Sequence, residues 1–371
     1  MYVRQLRIEN FRNIAHANLS FGTGYNILTG MNGQGKTNTI ESICLALSGK
    51  SHRETVTENF IGSAAQTADV EVSVGYDDGT EHVVSLSLGS DRKYRIDDDP
   101  VRRRSELLRN FSVIFFSPDD LYLVKGGPSL RRNYINDAIA SVAPNYAAVL
   151  SAYSKTVSQK NMLLREYSPS CKSLLEVYNE SLVQYGSAVV KYRIRFLKEL
   201  SEQIASLYDS ISDKRERFKM TYQTNVLAQN QHTDVAQSYA KELNALAEKE
   251  IAMRTCLIGP HHDDIHFFLN GQNTRKFASQ GQQRSLALSM KIALIDLFYE
   301  KNKEKPIVIL DDVMSELDER RREMILQVLS DVQTFITSVS AETICAEQSK
   351  QTIFRVSGGA IAPMRRPGAN G

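Results

Sequence analysis

Long apolar runs are missing: nothing in these 371 residues approaches the ~18 consecutive apolar positions of a membrane-spanning helix. The opening stretch MYVRQLRIENFRN lacks the apolar centre of a secretory leader, so a soluble, cytoplasmic chain is expected. Cysteine is scarce and scattered. Cys44, Cys171, Cys256 and Cys345 show no C-x-x-C spacing, which argues against a zinc site or a disulfide frame and suits a reducing compartment. Charge of one sign is also missing: a formal net charge of +2 gives no global basic signal, so any nucleic-acid surface must come from local clusters of Lys and Arg. Internal repeats and low-complexity tracts are absent. What is there, 42% hydrophobic and 24% charged residues, can bury a sizeable core as one large domain with an insert, or as two domains.

The stretch GMNGQGKT, residues 30 to 37, stands between an apolar run and an amphipathic one. Upstream, Tyr25, Ile27 and Leu28 read as a short strand. Downstream, Ile40, Ile43, Cys44 and Leu47 fall on one helix face, and Gly49 is a natural C-cap. Strand, glycine loop and helix is the order a polyphosphate cradle needs. Backbone amides must point inward, glycines must leave room, and the helix N-terminus must bring partial positive charge. The spacing fits G-x-x-x-x-G-K-[ST], in which Lys36 reaches the β- and γ-phosphates and the Thr37 hydroxyl ligates Mg²⁺.

Residues 1 to 125 look strand-rich, with an Asp78-Gly79 hairpin signal between two alternating segments. From about Pro128 the pattern turns helical. Leu175, Tyr178, Leu182, Tyr185, Val189, Tyr192 and Phe196 step by three and four, enough for a compact lobe or short hairpin but not for a long coiled-coil arm. Near residue 250 strand and turn character returns. The expected architecture is therefore an α/β head built from 1–125 and 250–371, its outer segments sharing one sheet, with a helical insertion at 126–249.

PIVILDD, residues 306 to 312, reads as a buried strand that delivers Asp311 to the sheet's C-terminal edge as a Mg²⁺ ligand, with Asp312 as general base or water-positioner. In FASQGQQRSLALSMKIALIDLF, Leu286, Met290, Ala293, Leu294 and Leu297 mark a helix that Ser279 and Gly281 open in N-cap fashion. A second helix start is a second anion site, which suggests a nucleotide held between two chains. Taken singly, a strand ending at a polar turn and a plain helix cap are the simpler readings of these two segments.

Together GMNGQGKT, ASQGQ, VILDD and SELD resemble the Walker A, signature, Walker B and D-loop motifs of the ABC ATPase superfamily. NFRN, FSPDDLYLVKGGPSLRR, GPHHDD, SQGQQRSLALSMK, LDDVMSELD and QTFIT, in that order, resemble the RecF family of recombination mediators across nearly the whole chain. That resemblance implies an ABC-type ATPase head, with a P-loop and a mixed sheet that is partly antiparallel, carrying an inserted α-helical lobe. It further implies an ATP-dependent head-to-tail homodimer that binds DNA at gaps or single-to-double-strand junctions and works with RecO and RecR in recombinase loading, DNA repair and SOS induction. By position it implies that Gly30, Met31, Asn32, Gly33, Gln34, Gly35, Lys36 and Thr37 bind ATP. It places Mg²⁺ on Thr37 and Asp311, and gives Lys36 and Asp312 catalytic work. Ser279, Gly281 and Gln282 would meet the γ-phosphate of the partner's ATP, with Asp318 at the dimer seam.

Three departures from the wider ABC pattern stand out. Asp312 is one methylene shorter than the glutamate of transport-type proteins, which fits slow turnover. TFITSV lacks the switch histidine, leaving Thr337 or Ser338 as weak substitutes, and FSPDD replaces the Q-loop glutamine with Ser117, Asp119 and Asp120. HHDDIH, residues 261 to 266, invites a metal site, but His261 and His262 diverge if the segment is a strand. Basic clusters at Arg102 to Arg104, at Arg131 and Arg132, and along the helical lobe (Lys191, Arg193, Arg195, Lys198, Lys214, Arg215, Arg217, Lys219) are candidate DNA-backbone contacts; solvated helix faces are the simpler reading. Two rival functions remain, a transport-type ABC subunit and an ATP-binding interaction protein without significant hydrolysis. The interval from Thr37 to Ser279 is longer than a compact transport head needs, and the paired Asp311 and Asp312 count against the second.

Overall fold

The structure, a computed structural model, describes residues 1–211, 216–227, 234–340 and 351–364. Lys214, Arg215, Cys345 and the terminal RRPGANG lie outside the described residues. The chain divides into two compact units, Met1–Asp119 with Leu294–Gly371, and Asp120–Ala293. By contacts, residues 250–293 group with the helical segment, not with the outer strands.

The first unit begins with β1 (Tyr2–Phe11), β2 (Ile14–Ser20), β3 (Tyr25–Thr29), α1 (Lys36–Ser48), β4 (Ala68–Gly75), β5 (Glu81–Leu88), β6 (Arg92–Ile96), β7 (Asp99–Val101), α2 (Arg104–Asn110) and β8 (Val113–Phe116). Strands β2-β1-β4-β5-β6-β7 form an antiparallel sheet, the β4–β5 turn carrying Gly79 at φ 86° where Asp78-Gly79 predicts it. Alternation along β1 buries Leu6 and Ile8 but reaches back to Val3, an odd step. A bulge between Val3 and Gln5 absorbs the extra residue and keeps all three on the core face.

The second unit holds α3 (Leu121–Lys125), α4 (Pro128–Val142), α5 (Tyr146–Arg165), α6 (Lys172–Ile211), β9 (Phe218–Gln223), α7 (Val235–Met253), β10 (Asp264–Leu269), β11 (Gln272–Asn273) and α8 (Thr274–Phe277). Helix α6, about 60 Å long at 1.5 Å per residue, buries Leu175, Leu182, Val189 and Phe196 at seven-residue steps, with Tyr178, Tyr185 and Tyr192 half-buried between them. At Gly186 a Cβ would meet Tyr239 at 2.5 Å and Tyr153 at 3.0 Å, so the close approach of α5, α6 and α7 needs glycine. The segment expected as a helical insertion also contains β9, which pairs with β10 from beyond α7 in a three-stranded sheet, β11-β10-β9.

The chain returns to the first unit through α9 (Gln280–Asn302), followed by β12 (Ile307–Leu310), α10 (Glu319–Val328), β13 (Thr334–Ser338), β14 (Gln351–Ser357) and β15 (Ala360–Pro363). The second six-stranded sheet, β15-β14-β3-β13-β12-β8, is parallel except for the edge strand β15, and draws β3 and β8 from the first sequence segment and the rest from the last, as expected. Strands β3, β12 and β13 are buried along their whole length because both faces are covered. Helix α1 contacts strands of both sheets, and from Thr39 to Ser48 it is buried on every side. Its apolar positions are thus part of a fuller burial than one amphipathic face requires. The parallel strands β3, β12 and β13 end on one edge of the sheet, and the candidate site is built there. Among the described residues no helix is long and apolar enough to cross a membrane.

Candidate nucleotide site

Between Thr29 and Lys36 the chain turns through Gly30 (φ 153°), Gly33 (φ 78°) and Gly35 (φ 117°), backbone angles that side chains strain. At Gly30 space forbids a side chain as well, since a Cβ would meet the Val356 carbonyl oxygen at 2.2 Å; at Gly35 it would sit tightly against the Asn13 side-chain oxygen at 3.1 Å. Gly35 caps α1, so the loop's amides and the helix N-terminus face one place. Lys36 is 4% exposed, and its ammonium donates to the carbonyls of Gly30 (2.7 Å) and Met31 (3.0 Å), arching over the loop. Beside it opens a cleft of about 370 Å³ lined by Asn32, Gly33, Gly35, Lys36, Thr37, Asn38, Arg53 and Asp312.

Asp311, 8% exposed at the end of β12, accepts from the Thr37 hydroxyl (2.9 Å) and from the Thr337 hydroxyl (2.8 Å), both on Oδ1. Burial pushes its carboxyl above the usual range, the two hydroxyls pull it back, and the charge on Asp312 adds to the rise. A hydroxyl and a carboxylate are the hard oxygen donors Mg²⁺ prefers. The 2.9 Å between Thr37 Oγ1 and Asp311 Oδ1 matches neighbouring vertices of an octahedron with bonds of about 2.1 Å. The residues present fit the ion. Asp312 lines the cleft from a left-handed backbone position at φ 56°, and its carbonyl accepts from Ser315 (2.8 Å).

Sequence reasoning missed the residues that hold this loop. Gln34 accepts from the amides of Gly358 (2.6 Å, on its side chain) and Gly359 (2.9 Å, on its carbonyl), so the β14–β15 turn braces the loop. Asn13, in the β1–β2 turn, accepts from Asn38 of α1 (2.8 Å) and donates to the loop carbonyl of Gly33 (3.5 Å). Arg53 was also missed, although its neighbours aim it with care. Ser51 donates to the buried Glu41 of α1 while accepting from the amides of Arg53 (3.0 Å) and Glu54 (3.1 Å), Arg12 pairs with Glu41 (2.8 Å), and His52 stacks on Phe115 at 4.3 Å. A serine followed two residues later by arginine, just past the helix that follows a glycine loop, is the only local signal, and it is weak.

The sequence profile described as "RecF/RecN/SMC N terminal domain" matches residues 2–361. A protein named DNA replication and repair protein RecF from Lachnoclostridium phytofermentans is 36% identical over 92% of this chain and 94% of its own. Its namesake from Bacillus subtilis is 34% identical over 97% and 100%. The chain belongs to the RecF family. A solved structure of the recombination mediator RecF with ATP, from the RecFOR pathway, superposes with a TM-score of 0.91 at 29% identity over 98% of each chain. An Smc head bound to the C-terminal winged-helix domain of ScpA shares the fold, with a TM-score of 0.59 at 14% identity over 100% and 99%. The fold is thus the ABC-type ATPase head expected of a RecF-family sequence.

In the second unit the signature segment forms a reciprocal cap. The Ser279 amide donates to Gln282 Oε1 (2.7 Å), and the Gln282 amide donates to Ser279 Oγ (3.2 Å). The Gln282 side chain also donates to Glu216. Asp318 in the first unit caps α10 through the Arg321 amide (2.9 Å). Of the Q-loop stand-ins, Asp120 pairs with Lys291 of α9 (2.9 Å).

Three readings of charged RecF-family segments change. Arg131 is 2% exposed, forks onto Asp264 (2.7 and 3.0 Å) and donates to the carbonyls of Leu123 and Gly126; it is a core residue and not a DNA contact. Arg193, also 2% exposed, is held by Asp263 (2.9 Å), the Pro260 carbonyl (2.7 Å) and Asn136. His261 and His262 lie in a turn, not a strand, so their rings stay together, 4.1 Å between centroids, with His261 against the Tyr153 hydroxyl.

Proposed function

We propose that this chain is an ATP-gated DNA clamp of recombinational repair and replication restart, in keeping with relatives named for DNA replication and repair. The amides of Gly30 to Thr37 hold the β- and γ-phosphates of ATP, and Lys36 exchanges the carbonyls of Gly30 and Met31 for phosphate oxygens. Arg53 adds a cation at the same cleft. Thr37 and Asp311 would hold Mg²⁺, which would supply positive charge to the phosphates. Asp312 orients the attacking water. The capped start of α9 in a second copy, with Ser279, Gly281 and Gln282, meets the γ-phosphate, and Asp318 lies at the seam of that head-to-tail homodimer.

Closure by ATP then makes a surface for DNA at gaps or strand junctions, where RecO and RecR act and SOS induction begins. The short Asp312 side chain makes hydrolysis slow, a timer for release. The observation that carries this reading is the Thr37–Asp311 hydrogen bond, which brings a glycine loop and a distant strand end together over one cleft. Light scattering with DNA binding, in ATP, in ADP and with Lys36→Arg, tests it. Dimers and tight DNA binding are expected only with ATP, and both should weaken in the variant. A nucleotide-free monomer that holds DNA equally well would sink the gating. Phosphate release measured with and without DNA separates a slow ATPase from an ATP-binding protein that does not turn over.

A further inference from the structure

We infer that Thr337 is a positioning residue for both aspartates of the site, a part that neither the glycine loop nor the carboxylate motif announces. This rests on the reading of Thr37 and Asp311 as the residues that hold Mg²⁺. Thr337 is 1% exposed near the end of β13, next to β12 in the sheet, one residue past the last β12–β13 pair at Leu310 and Ile336. A hydroxyl has one proton to give and lone pairs to receive. Here the proton goes to Asp311 Oδ1 (2.8 Å) and the oxygen receives the Asp312 amide (2.9 Å). One side chain therefore fixes the carboxylate of one aspartate and the backbone of the next.

The remaining fixings show why that matters. The Asp311 amide donates to Phe116 of β8 (2.9 Å), so its backbone is tied on one side and its carboxylate on the other. Thr37 and Thr337 both donate to Oδ1, so if Thr37 turned its oxygen to a metal the bond from Thr337 would still set the carboxylate plane. Asp312 sits at φ 56°, a left-handed position that needs support from its surroundings, and it is held between Thr337 at its amide and Ser315 at its carbonyl. An aliphatic residue at 337 would pack as well between the strands and supply neither bond. Thr337 thus has a static orienting task, different from that of a mobile switch side chain standing at the phosphate.

The test is the coupling between Mg²⁺ and a fluorescent, non-hydrolysable ATP analogue, measured as the ratio of analogue affinities in Mg²⁺ and in EDTA on the full chain. Thr337→Ala should lower that ratio about 10- to 100-fold, leave the affinity in EDTA unchanged and slow phosphate release. Thr337→Ser, which keeps the hydroxyl, should match the parent. If thermal unfolding shows that the alanine variant does not fold, the isosteric Thr337→Val carries the same expectation. A ratio within twofold of the parent in Thr337→Ala, or an equal loss in Thr337→Ser, overturns the assignment. A parent whose analogue binding ignores Mg²⁺ overturns instead the underlying reading of Thr37 and Asp311, and the assignment with it.

Discussion

Asp263 and Asp264 stand at the start of β10, and Asp311 and Asp312 just past the end of β12, yet the two pairs have opposite surroundings. Asp263 and Asp264 meet Arg193 and Arg131, both almost wholly buried, and Tyr222 adds its hydroxyl to Asp263. Asp311 meets two hydroxyls, and Asp312 lines an open cleft. Each of the first two aspartates is paired with a guanidinium and holds β10 to α6 or α4, although burial still raises the Asp263 carboxyl above its usual range. Asp311, whose hydrogen bonds come from two hydroxyls, carries a charge that burial makes costly, which suits its proposed role as a cation ligand. The same dipeptide is thus ion-paired in one unit and, on the proposed reading, a cation ligand and water-positioner in the other.

The sharpest way to break the contrast is to remove one buried cation. Arg193→Met strands Asp263, 1% exposed, without its partner, and should cost about 3–5 kcal/mol in urea unfolding. Loss of under ~1 kcal/mol would show that Asp263 needs no counter-charge. Next is Asp311→Asn, which keeps an acceptor for both hydroxyls and removes the charge. Phosphate release should fall at least ~100-fold. Because burial raises the native carboxyl above its unfolded value, the ionised form costs stability at neutral pH, and that cost fades as pH falls through the raised value. The variant should therefore be no less stable than the parent at pH 7, and a clear loss of stability would put Asp311 with the structural pair.

At neutral pH the smallest effect belongs to His261, whose imidazole is held down to about 4 by burial, then by His262, with Arg132 and Lys160 adding to it. The unfolded imidazole takes up its proton near pH 6.5 and the folded one only near pH 4, so stability declines as pH falls across that window. The slope is up to about 1.4 kcal/mol per pH unit. His261→Gln should flatten it; an unchanged slope would show that His261 is not its source.

Legibility followed the range over which each feature acts. The loop at Gly30 to Thr37 could be read from the residues because positive φ and close approach constrain single positions whatever the rest of the chain does. The N-cap at Ser279 was equally local, and Gln282 completes it one turn later. The seven-residue stripe of α6 was visible too, since a helix face is a periodic property. Strand β9 was passed over although FKMTYQ alternates apolar and polar residues, because six residues are a short signal and the partner β10 lies beyond a whole helix. Arg131 and Arg193 were misread because a basic residue on a helix looks the same whether it meets water or a buried carboxylate.

By itself, then, the sequence determined the local chemistry: a cradle of glycine amides, a lysine, a hydroxyl, a carboxylate at a strand end, and a capped helix start. Tertiary structure alone decided which aspartates were neutralised, that Arg53 entered the cleft, and that Thr337 held both Asp311 and Asp312. The reason is physical. Backbone angles and helix caps are set within a few residues, whereas the fate of a charge depends on the groups that folding brings to within about 3 Å of it, and those come from anywhere in the chain.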